Sequence, residues 1–376
     1  MNDDLPADVP DEALVATLRL VLVPGVGPIT RKALVDHFGS AAAVLAASPK
    51  DLQQVQGVGP KLSHKIVAAP DDVDIEKELK LCQENNITIL TESHPDYPQM
   101  LREIHDPPGV LFVLGKLVPQ DSLSVAIVGT RHATQYGIQQ AERLAAGLAR
   151  AGYTVVSGLA RGIDSAAHRG ALSAGGRTIA VLGSGVLDVY PPENKDLADE
   201  IKNHGAVVSE AAPLVPPISS MFPQRNRIIT GISLGVIVVE AADRSGAILS
   251  AQHATEQGRE VFAVPGRVDS RASHGCHRLI RDGAKLVESV DDVLEELGPL
   301  VKATPTEDGR IVRHPAELQL TTQEQTVLNA VGEQATSIDD IVAASRLPVS
   351  RVLSTISVLE MRRLIRRLSG NSVTRV

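Results

Sequence analysis

The chain is poor in aromatic residues. It contains no tryptophan, four phenylalanines and four tyrosines among 376 residues, which excludes an extended platform of stacked rings. Cysteine is equally scarce: Cys82 and Cys276 are far apart and form no CxxC pair, which excludes a disulfide framework and suits a reducing compartment. A formal net charge of −8 excludes a basic coat over the whole surface, so any polyanion site has to be a local basic patch.

Targeting segments and familiar cofactor motifs are also missing. The acidic residues 3–12 do not resemble a signal peptide, and no apolar run approaches membrane-spanning length. We therefore expect a cytoplasmic protein without membrane insertion. The GxGxxG fingerprint and the P-loop pattern are both absent, so neither nicotinamide binding nor nucleoside-triphosphate hydrolysis is indicated. His274, Cys276 and His277 lack a second ligand pair, which favours the start of a helix over a metal site.

Two strand-to-helix junctions are the most informative features that are present. One apolar β-branched run meets Gly129, Thr130 and Arg131, and a second meets SGLARGID at residues 157–164. Where a strand meets small residues and then a helix, backbone N–H groups and the positive helix end point to one place. Arg131 and Arg161 add forked donors that match phosphate oxygens. Both junctions are therefore predicted to hold an anion.

Residues 84–298 alternate short apolar runs with helical stretches such as 137–151, which is typical of a mostly parallel sheet covered by helices. The predicted strands are 125–128, 154–156, 178–182, 206–208, 236–239, 261–264 and 285–287. This pattern predicts the α/β class, with a Rossmann-like doubly wound sheet in which ligands bind beyond the carboxyl ends of the strands. The small and polar runs after these strands, among them 183–185, 209–210, 240–246 and 265–267, are expected to converge on one crevice.

An internal repeat marks the N-terminal segment, which we assign to residues 10–80. VPGVGP at 23–28 and VQGVGP at 55–60 are each followed by a helical pattern. These turns resemble the helix-hairpin-helix motif, whose glycine amides approach a nucleic-acid phosphate without reading sequence. Paired hairpins also form helical protein-contact modules. The basic residues near the turns, Arg31, Lys32, Lys61 and Lys65, do not distinguish the two interpretations.

The composition changes after residue 298. Residues 299–316, which include Pro299, Lys302 and Gly309, predict a linker with little to bury. In residues 317–376, helices at 322–331, 337–344 and 350–359 precede a hairpin around Gly370 and Asn371, an order that resembles a winged helix. The basic residues of this segment are Arg346, Arg351, Arg362, Arg363, Arg366 and Arg367. The third helix would contact bases in a DNA-binding winged helix, but few polar side chains are available for such contacts. Contact with protein, or regulation of the core, is therefore at least as well supported as duplex recognition.

Three ordered blocks of the central segment resemble the DNA-processing protein A (DprA) family. The blocks are IVGTR at 127–131 with Tyr136-Gly137, SGLARGID at 157–164 with Ala167-His168, and FPQRNRII at 222–229. Further agreement comes from Tyr190-Pro191, Val239-Glu240-Ala241, Ser245-Gly246 and Val264-Pro265-Gly266. The resemblance therefore spans residues 84–298.

The resemblance implies a Rossmann-like domain that binds single-stranded DNA in a basic pocket and forms homodimers. It also implies that the protein protects the strands imported during natural transformation and loads RecA recombinase onto them. It implies a mediator and not an enzyme, without catalytic residues, cofactor or metal. The residues implied to hold the strand are Gly129, Thr130, Arg131, Ser157, Gly158, Arg161, Gly162, Phe222, Arg225, Asn226, Arg227, Ser245 and Gly246. Phe222 is implied to stack on a base, and Arg225, Asn226 and Arg227 to edge the track.

Other polar residues beside these blocks are expected to support the pocket. Asp164 is expected to cap the helix that follows it, and His168 to make a structural hydrogen bond. Glu210 and Glu240 end apolar strands, a location used by catalytic acids and by carboxylates that hold crevice arginines. The family's behaviour favours pairing with arginine.

Two departures from known families bear on function. Many DprA relatives carry a basic residue shortly before the Phe-Pro element, whereas residues 216–221 contain none. The alternative function is that of an enzyme, because the cytokinin-activating phosphoribohydrolases share a related Rossmann-like core and cleave an N-glycosidic bond. Their Pro-Gly-Gly-x-Gly-Thr motif is absent, and residues 240–247 lack its glycines and the acidic residue that follows them, which disfavours this alternative.

Overall fold

The computed structural model describes residues 11–298, 301, 304–306, 311–312, 314–332, 334–362, 364–368 and 371–375. Predictions that fall on residues 1–10, on Pro299, on Lys302, on residues 307–310, on Arg363, on Gly370 or on Val376 lie outside these residues.

A nine-stranded sheet forms the centre of the molecule. Its strands are β1 (Thr88–Thr91), β2 (Val110–Gly115), β3 (Ser124–Gly129), β4 (Thr154–Ser157), β5 (Thr178–Val181), β6 (Gly205–Ser209), β7 (Gly235–Val239), β8 (Glu260–Ala263) and β9 (Lys285–Leu286). They lie in the order β1-β2-β6-β5-β4-β3-β7-β8-β9. Strands β3 to β9 are mutually parallel, and β2 runs antiparallel to its neighbours β1 and β6. The predicted Rossmann-like sheet is confirmed.

Strands β1 and β2 were not among the predicted strands. β2 is an apolar run with four buried residues, so its composition carries a strand signal. Neither strand leads into a long helix, because β1 is followed by the four-residue helix α7 (Gln99–Arg102) and β2 by a single 3₁₀ turn. The sequence pattern that identifies parallel strands is their alternation with long helices, and β1 and β2 do not follow this pattern. They were therefore missed.

Helices cover both faces of the sheet, because successive side chains of a strand point to opposite faces. Val125 and Ile127 of β3 belong to one buried cluster, and Ala126 and Val128 to another. The flanking helices are α8 (Gln135–Arg150), α9 (Ile163–Ser173), α10 (Lys195–His204), α11 (Met221–Ile232), α12 (Gly246–Glu256), α13 (His274–Arg281) and α14 (Val290–Leu297). Helices α8, α9 and α14 contribute to the first cluster, and α11 and α12 to the second.

A helical domain precedes the sheet. Its helices are α1 (Glu12–Leu22), α2 (Pro28–Phe38), α3 (Ala41–Ala46), α4 (Pro49–Leu52), α5 (Pro60–Asp72) and α6 (Ile75–Glu84). The helices expected after the two glycine turns begin at Pro28 and Pro60, the first helical position that proline favours. Leu20 of α1 lies in the core of this domain, whereas Leu18 packs with Phe112 and Leu182 of the central domain. Helix α1 therefore joins the two domains.

The last domain has the predicted winged-helix order. Its elements are α15 (Thr322–Asn329), α16 (Ile338–Ser345), α17 (Val349–Met361), β12 (Thr336–Ser337), β13 (Ile365–Leu368) and β14 (Ser372–Arg375). Strand β12 pairs with β14 and completes a three-stranded sheet that the sequence did not predict in full. Ile341, Ile356 and Val373 lie in a core separate from that of the central domain.

The connecting segment is docked on the central domain, contrary to the expectation of a linker with little to bury. Its described residues include the paired strands β10 (Thr304–Pro305) and β11 (Ile311–Val312). The Thr304 hydroxyl lies 3.3 Å from that of Ser122, and Val312 is buried. A Cβ on Gly152 would overlap the carbonyl oxygen of Pro315. Ser122 and Gly152 lie just before β3 and β4, so the segment packs at the amino-terminal edge of the sheet.

No single described helix is long and apolar enough to cross a membrane. Helices α16 and α17 pass that test only as a pair, and they are bent by 111° around the core of the winged helix.

Candidate anion-binding crevice

The carboxyl ends of β3, β4 and β7 meet at the point where the order of the sheet reverses. The chain passes from β3 to β4 on one side and returns to β7 on the other. In sheets of this type, such a switch point opens a crevice beyond the strand ends. The Thr130 amide donates to the Glu240 carbonyl at 2.8 Å and bridges the ends of β3 and β7. The two predicted anion-binding junctions both reach this place.

The first junction leaves no room for a side chain at Gly129. A Cβ there would overlap the Val239 carbonyl oxygen and lie 2.5 Å from Cγ1 of Ile163. Thr130 and Arg131 follow, and the Arg131 side chain is exposed. Thr134 then caps α8 by accepting from the Gly137 amide at 3.2 Å. Backbone and an exposed guanidinium therefore meet at the mouth of the crevice.

The second junction interlocks with the first. Gly162 is the N-cap of α9 with φ 76°, a conformation that favours glycine, and a Cβ on it would meet the Thr130 carbonyl. The Ile163 amide donates to that same carbonyl at 3.3 Å. Ser157 does not face the crevice: it is fully buried and its hydroxyl donates to the Ile127 carbonyl at 2.6 Å. Ser157 therefore has no exposed hydroxyl with which to make the implied contact to a DNA strand.

Arg225 lies beneath the second junction instead of at its edge. The side chain is buried, and Nη1 donates to the carbonyls of Gly158, at 2.7 Å, and Val181. A Cβ on Gly158 would overlap this guanidinium, so that glycine is required for the packing. Burial lowers the pKa of Arg225 to about 10. The structure thus makes Arg225 an internal support of the loop and corrects its expected place on the rim.

Asp164 supports the same loop in a different way from the expected helix cap. Gly162 occupies the N-cap position, and Asp164 lies in the first turn of α9. Its carboxylate accepts from the Ala160 amide at 3.3 Å. Burial raises the pKa of Asp164, while Arg225 opposes this rise.

Arg227 is also buried, in an ion-pair cluster. Its Nε donates to Asp106 at 2.9 Å, and Nη2 donates to the two oxygens of Glu210 at 2.9 and 3.1 Å. The expected pairing of Glu210 with an arginine is confirmed, whereas the expected place of Arg227 at the edge of the track is wrong. Burial raises the pKa of Glu210, although Arg227 opposes the shift.

Glu240 does not pair with an arginine among the described residues. Its carboxylate accepts from the Thr134 amide at 2.8 Å and from the Thr134 hydroxyl. A Cβ on Gly137 would overlap this carboxylate. Glu240 therefore fixes the start of α8, and the expectation of an arginine partner is wrong. His168, by contrast, makes the expected structural hydrogen bond, with Nδ1 2.7 Å from the Thr178 hydroxyl.

A continuous surface remains exposed above these supports. The guanidinium carbon of Arg131 lies 5.3 Å from the centroid of the Phe222 ring. The centroids of the Tyr190 and Phe222 rings are 5.7 Å apart. Arg161 lies 6.0 Å from the Tyr190 ring and pairs with Glu193. We call this surface, with Asn226, Ser245 and Gly246, the crevice surface.

The far end of the crevice surface is the start of α12. Asn226 is one helical turn beyond Phe222 on α11, and its side-chain amide donates to the Gly246 carbonyl at 3.3 Å. Ser245 is the N-cap of α12, and its hydroxyl is buried without a hydrogen-bond partner among the described residues, so it presents no exposed hydroxyl to a DNA strand. Tyr190 was not among the predicted site residues. The Tyr190-Pro191 pair within the family resemblance was the signal that could have found it.

Residues 265–267 do not join this surface. Pro265 lines a separate depression with Val268, His274 and His277, so the expected convergence of all strand ends is wrong for β8. His277 Nε2 lies 3.0 Å from the Gly266 carbonyl. Helix α13 begins at His274, as expected, and no three His, Cys, Asp or Glu side chains of the described residues are grouped to hold a metal ion.

Comparison with known families gives matches along most of the chain. The family model described as DNA recombination-mediator protein A matches residues 88–298. A DprA winged helix domain matches residues 312–371, and a SAM-like helix-hairpin-helix tandem matches residues 18–69.

Two relatives illustrate the extent of the likeness. Protein Smf of a Synechocystis strain is 35% identical over 380 residues, which cover 93% of this chain and 95% of the relative. The DNA processing protein DprA of Streptococcus pneumoniae is 45% identical over 226 residues, or 60% of this chain and 78% of the relative.

Two solved structures are also similar. That of DprA from Streptococcus pneumoniae has a TM-score of 0.66 and 36% identity, and the match covers 75% of this chain and 97% of that one. A structure of DNA processing protein A from Helicobacter pylori, described for its single-stranded DNA binding mode, has a TM-score of 0.50 and 30% identity, with 56% and 95% covered.

Proposed function

Because the chain belongs to the DNA recombination-mediator protein A family, we propose that it binds single-stranded DNA along the crevice surface, protects incoming strands and loads the RecA recombinase during natural transformation and recombination. The single observation that carries this proposal is the juxtaposition of the exposed Arg131 guanidinium with the Phe222 ring. The Helicobacter pylori relative, described as binding single-stranded DNA, supports the same assignment.

The chemistry of the crevice surface suits a strand whose bases are unpaired. Arg131 supplies a guanidinium for a phosphate, and Phe222 and Tyr190 supply rings on which a base can stack. Bases in a duplex stack on one another and do not present a free face to a protein ring. The surface therefore discriminates against duplex through the rings, while the arginines contribute attraction to any phosphate backbone.

We propose that the protein acts without making or breaking bonds. Glu210 and Glu240, which end strands where catalytic acids occur, are engaged with Arg227 and Thr134, and Asp164 is engaged with the Ala160 amide. A phosphoribohydrolase requires an acid free to face the glycosidic bond of a bound nucleotide. Incubation with nucleoside monophosphates should therefore release no free base, and release of base would revive the enzymatic alternative.

The family assignment also supports a homodimer that presents two crevices to one strand. In this arrangement the strand is held by both subunits, and binding should depend on oligonucleotide length in two steps. Light scattering of the full chain is expected to give twice the 39.8 kDa mass of one chain. A monomer at all concentrations that support binding would contradict this part of the proposal.

The function is tested by fluorescence anisotropy of the full chain with a labelled single-stranded oligonucleotide, competed by unlabelled duplex of the same sequence. We expect tight binding that resists the duplex. Equal competition by duplex and single strand would contradict the proposal. RecA loading is then measured as strand exchange on DNA covered by a single-strand-binding protein, which the full chain should accelerate.

A further inference from the structure

A groove lies next to the crevice surface, between the helical domain and the central domain. One wall is the first glycine turn with Val26 and Gly27, and the other is the first half of α11 with Met221, preceded by Ile218. The carboxyl end of β5 and Glu210 also line it, and the cavity measures about 650 Å³. We call this cavity the interdomain groove. Its volume is within the range of small-molecule sites in proteins.

One wall separates the interdomain groove from the crevice surface. Arg225 lines both cavities. The Phe222 ring stands over Gly183, where a Cβ would lie 2.7 Å from its Cδ1 atom, and Gly183 in turn lines the groove. A strand whose backbone passes Arg131 and Phe222 therefore lies beside the groove.

Two buried arginines that line the groove have unused donors. Arg31 donates through Nη2 to Glu92 and to the Pro107 carbonyl, both at 3.0 Å, and Arg225 donates through Nη1 to backbone carbonyls. The Nε atom of each is buried and has no hydrogen-bond partner among the described residues. A buried donor without a partner is costly, and an acceptor brought into the groove would relieve that cost if the guanidinium turned towards it.

The remaining lining is largely apolar and carries one acidic group. Val26, Ile218 and Met221 provide apolar surface, and Ile218 is half exposed. Glu210 brings a carboxylate to the same cavity, which disfavours a phosphate there. A nucleobase combines apolar faces with an edge of carbonyl oxygens and N–H groups, which matches apolar walls beside guanidinium groups.

We propose that the interdomain groove takes an unpaired nucleobase of a strand whose backbone lies on the crevice surface. The proposal rests on the proposed function and deepens it, because it gives the helical domain a direct part in single-strand binding. The first glycine turn then serves as one wall of a base pocket. This differs from a helix-hairpin-helix turn that binds phosphate through its glycine amides.

The test uses the reactivity of one introduced thiol. Both natural cysteines are buried, so an Ile218→Cys variant carries one accessible thiol, in the groove. Its alkylation by iodoacetamide is measured with no DNA, with a saturating single-stranded oligonucleotide, and with a saturating oligonucleotide of the same length made of abasic residues. The matched control is Ile311→Cys, which is also exposed but lies in the connecting segment at the opposite edge of the sheet.

We expect the normal oligonucleotide to slow alkylation of Ile218→Cys on the order of tenfold, since access limits thiol reactivity. The abasic oligonucleotide should leave it nearly unchanged, and neither should affect Ile311→Cys. Equal protection by both oligonucleotides, or no protection at saturation, would overturn the groove proposal while leaving single-strand binding intact. If anisotropy shows no binding of the wild-type chain, it is the proposed function itself that fails.

Discussion

The Arg131 guanidinium carbon lies 5.3 Å from the centroid of the Phe222 ring, although 91 positions separate the two residues in the chain. This contact brings the loop after β3 against the first turn of α11 at the switch point of the sheet. It combines a cation for a phosphate with a ring for a base, and each of these two parts can be removed separately.

Loss of the Phe222 ring should weaken single-strand binding without loss of the fold. We expect Phe222→Ala to lower affinity between about fivefold and a hundredfold, because stacking of a base on one aromatic side chain is worth about 1–3 kcal/mol. Phe222→Tyr, which keeps the ring, should bind within about twofold of wild type. The measurement is anisotropy with one oligonucleotide. Equal losses in the two variants would show that the ring itself is not the contact.

The glycine at the end of β3 should be essential for stability. Gly129→Ala places a Cβ against the Val239 carbonyl and Ile163, so we expect the free energy of unfolding to fall by about 1–3 kcal/mol. Gly246→Ala is the matched control, since a Cβ there meets no atom within 4 Å. Urea unfolding of the full chain compares the two. A Gly129→Ala chain as stable as Gly246→Ala would contradict the packing described for the first junction.

His168 should make stability depend on pH. Burial, with repulsion by Arg225 and Arg169, lowers its pKa from 6.5 to about 3. Below pH 6.5, His168 binds a proton in the unfolded chain but not in the folded chain. The contribution of His168 to the free energy of unfolding is therefore present above pH 6.5 and is lost as the pH falls towards 3.

The wild-type chain should therefore lose about 1.4 kcal/mol of unfolding free energy per pH unit relative to His168→Gln over that interval. Denaturant titrations of both chains at a series of pH values provide the measurement. Because Asp164 and Glu210 are present in both chains, their opposite pH dependence cancels in the comparison. Parallel curves for the two chains would refute this prediction.

The salt dependence of binding should be shallower than in relatives with a basic residue before the Phe-Pro element. Residues 216–221 contain no Lys or Arg. Since each phosphate contact contributes about −0.7 to the slope of log affinity against log salt, Ser219→Lys should steepen the slope by about that amount. Ser219→Gln, a long neutral side chain at the same exposed position, is the control. A wild-type slope already as steep as that of such relatives would contradict this prediction.

The sequence was sufficient to predict the strands that lead into helices, because apolar runs bounded by glycine and serine have few alternatives. It also predicted the three domains of the fold. It misplaced Arg225 and Arg227, which look like exposed basic residues in the run FPQRNRII. Their burial depends on distant acceptors: Gly158 is 67 positions from Arg225, and Asp106 is 121 positions from Arg227. No local pattern carries such a pairing.

Glu210 and Glu240 show the same limit. Both follow apolar strands, and the sequence alone assigns them one role. Glu210 lies beside Arg227, whereas Glu240 meets Thr134 because β7 ends against the junction between β3 and α8. The neighbours of a strand end depend on sheet order, and sheet order is a property of the whole fold.

The proposed function requires the crevice surface to bind the backbone of a single strand through Arg131. Its most direct test is anisotropy of Arg131→Ala with oligonucleotides of several unrelated sequences. Arg150→Ala is the matched control: this exposed arginine ends the 16-residue helix α8, about 24 Å from its start at the crevice. We predict that Arg131→Ala weakens binding by about tenfold or more for every sequence, because phosphate contacts carry no sequence information, and that Arg150→Ala binds like wild type. A loss confined to some sequences, or equal losses in the two variants, would show that Arg131 does not hold the strand backbone.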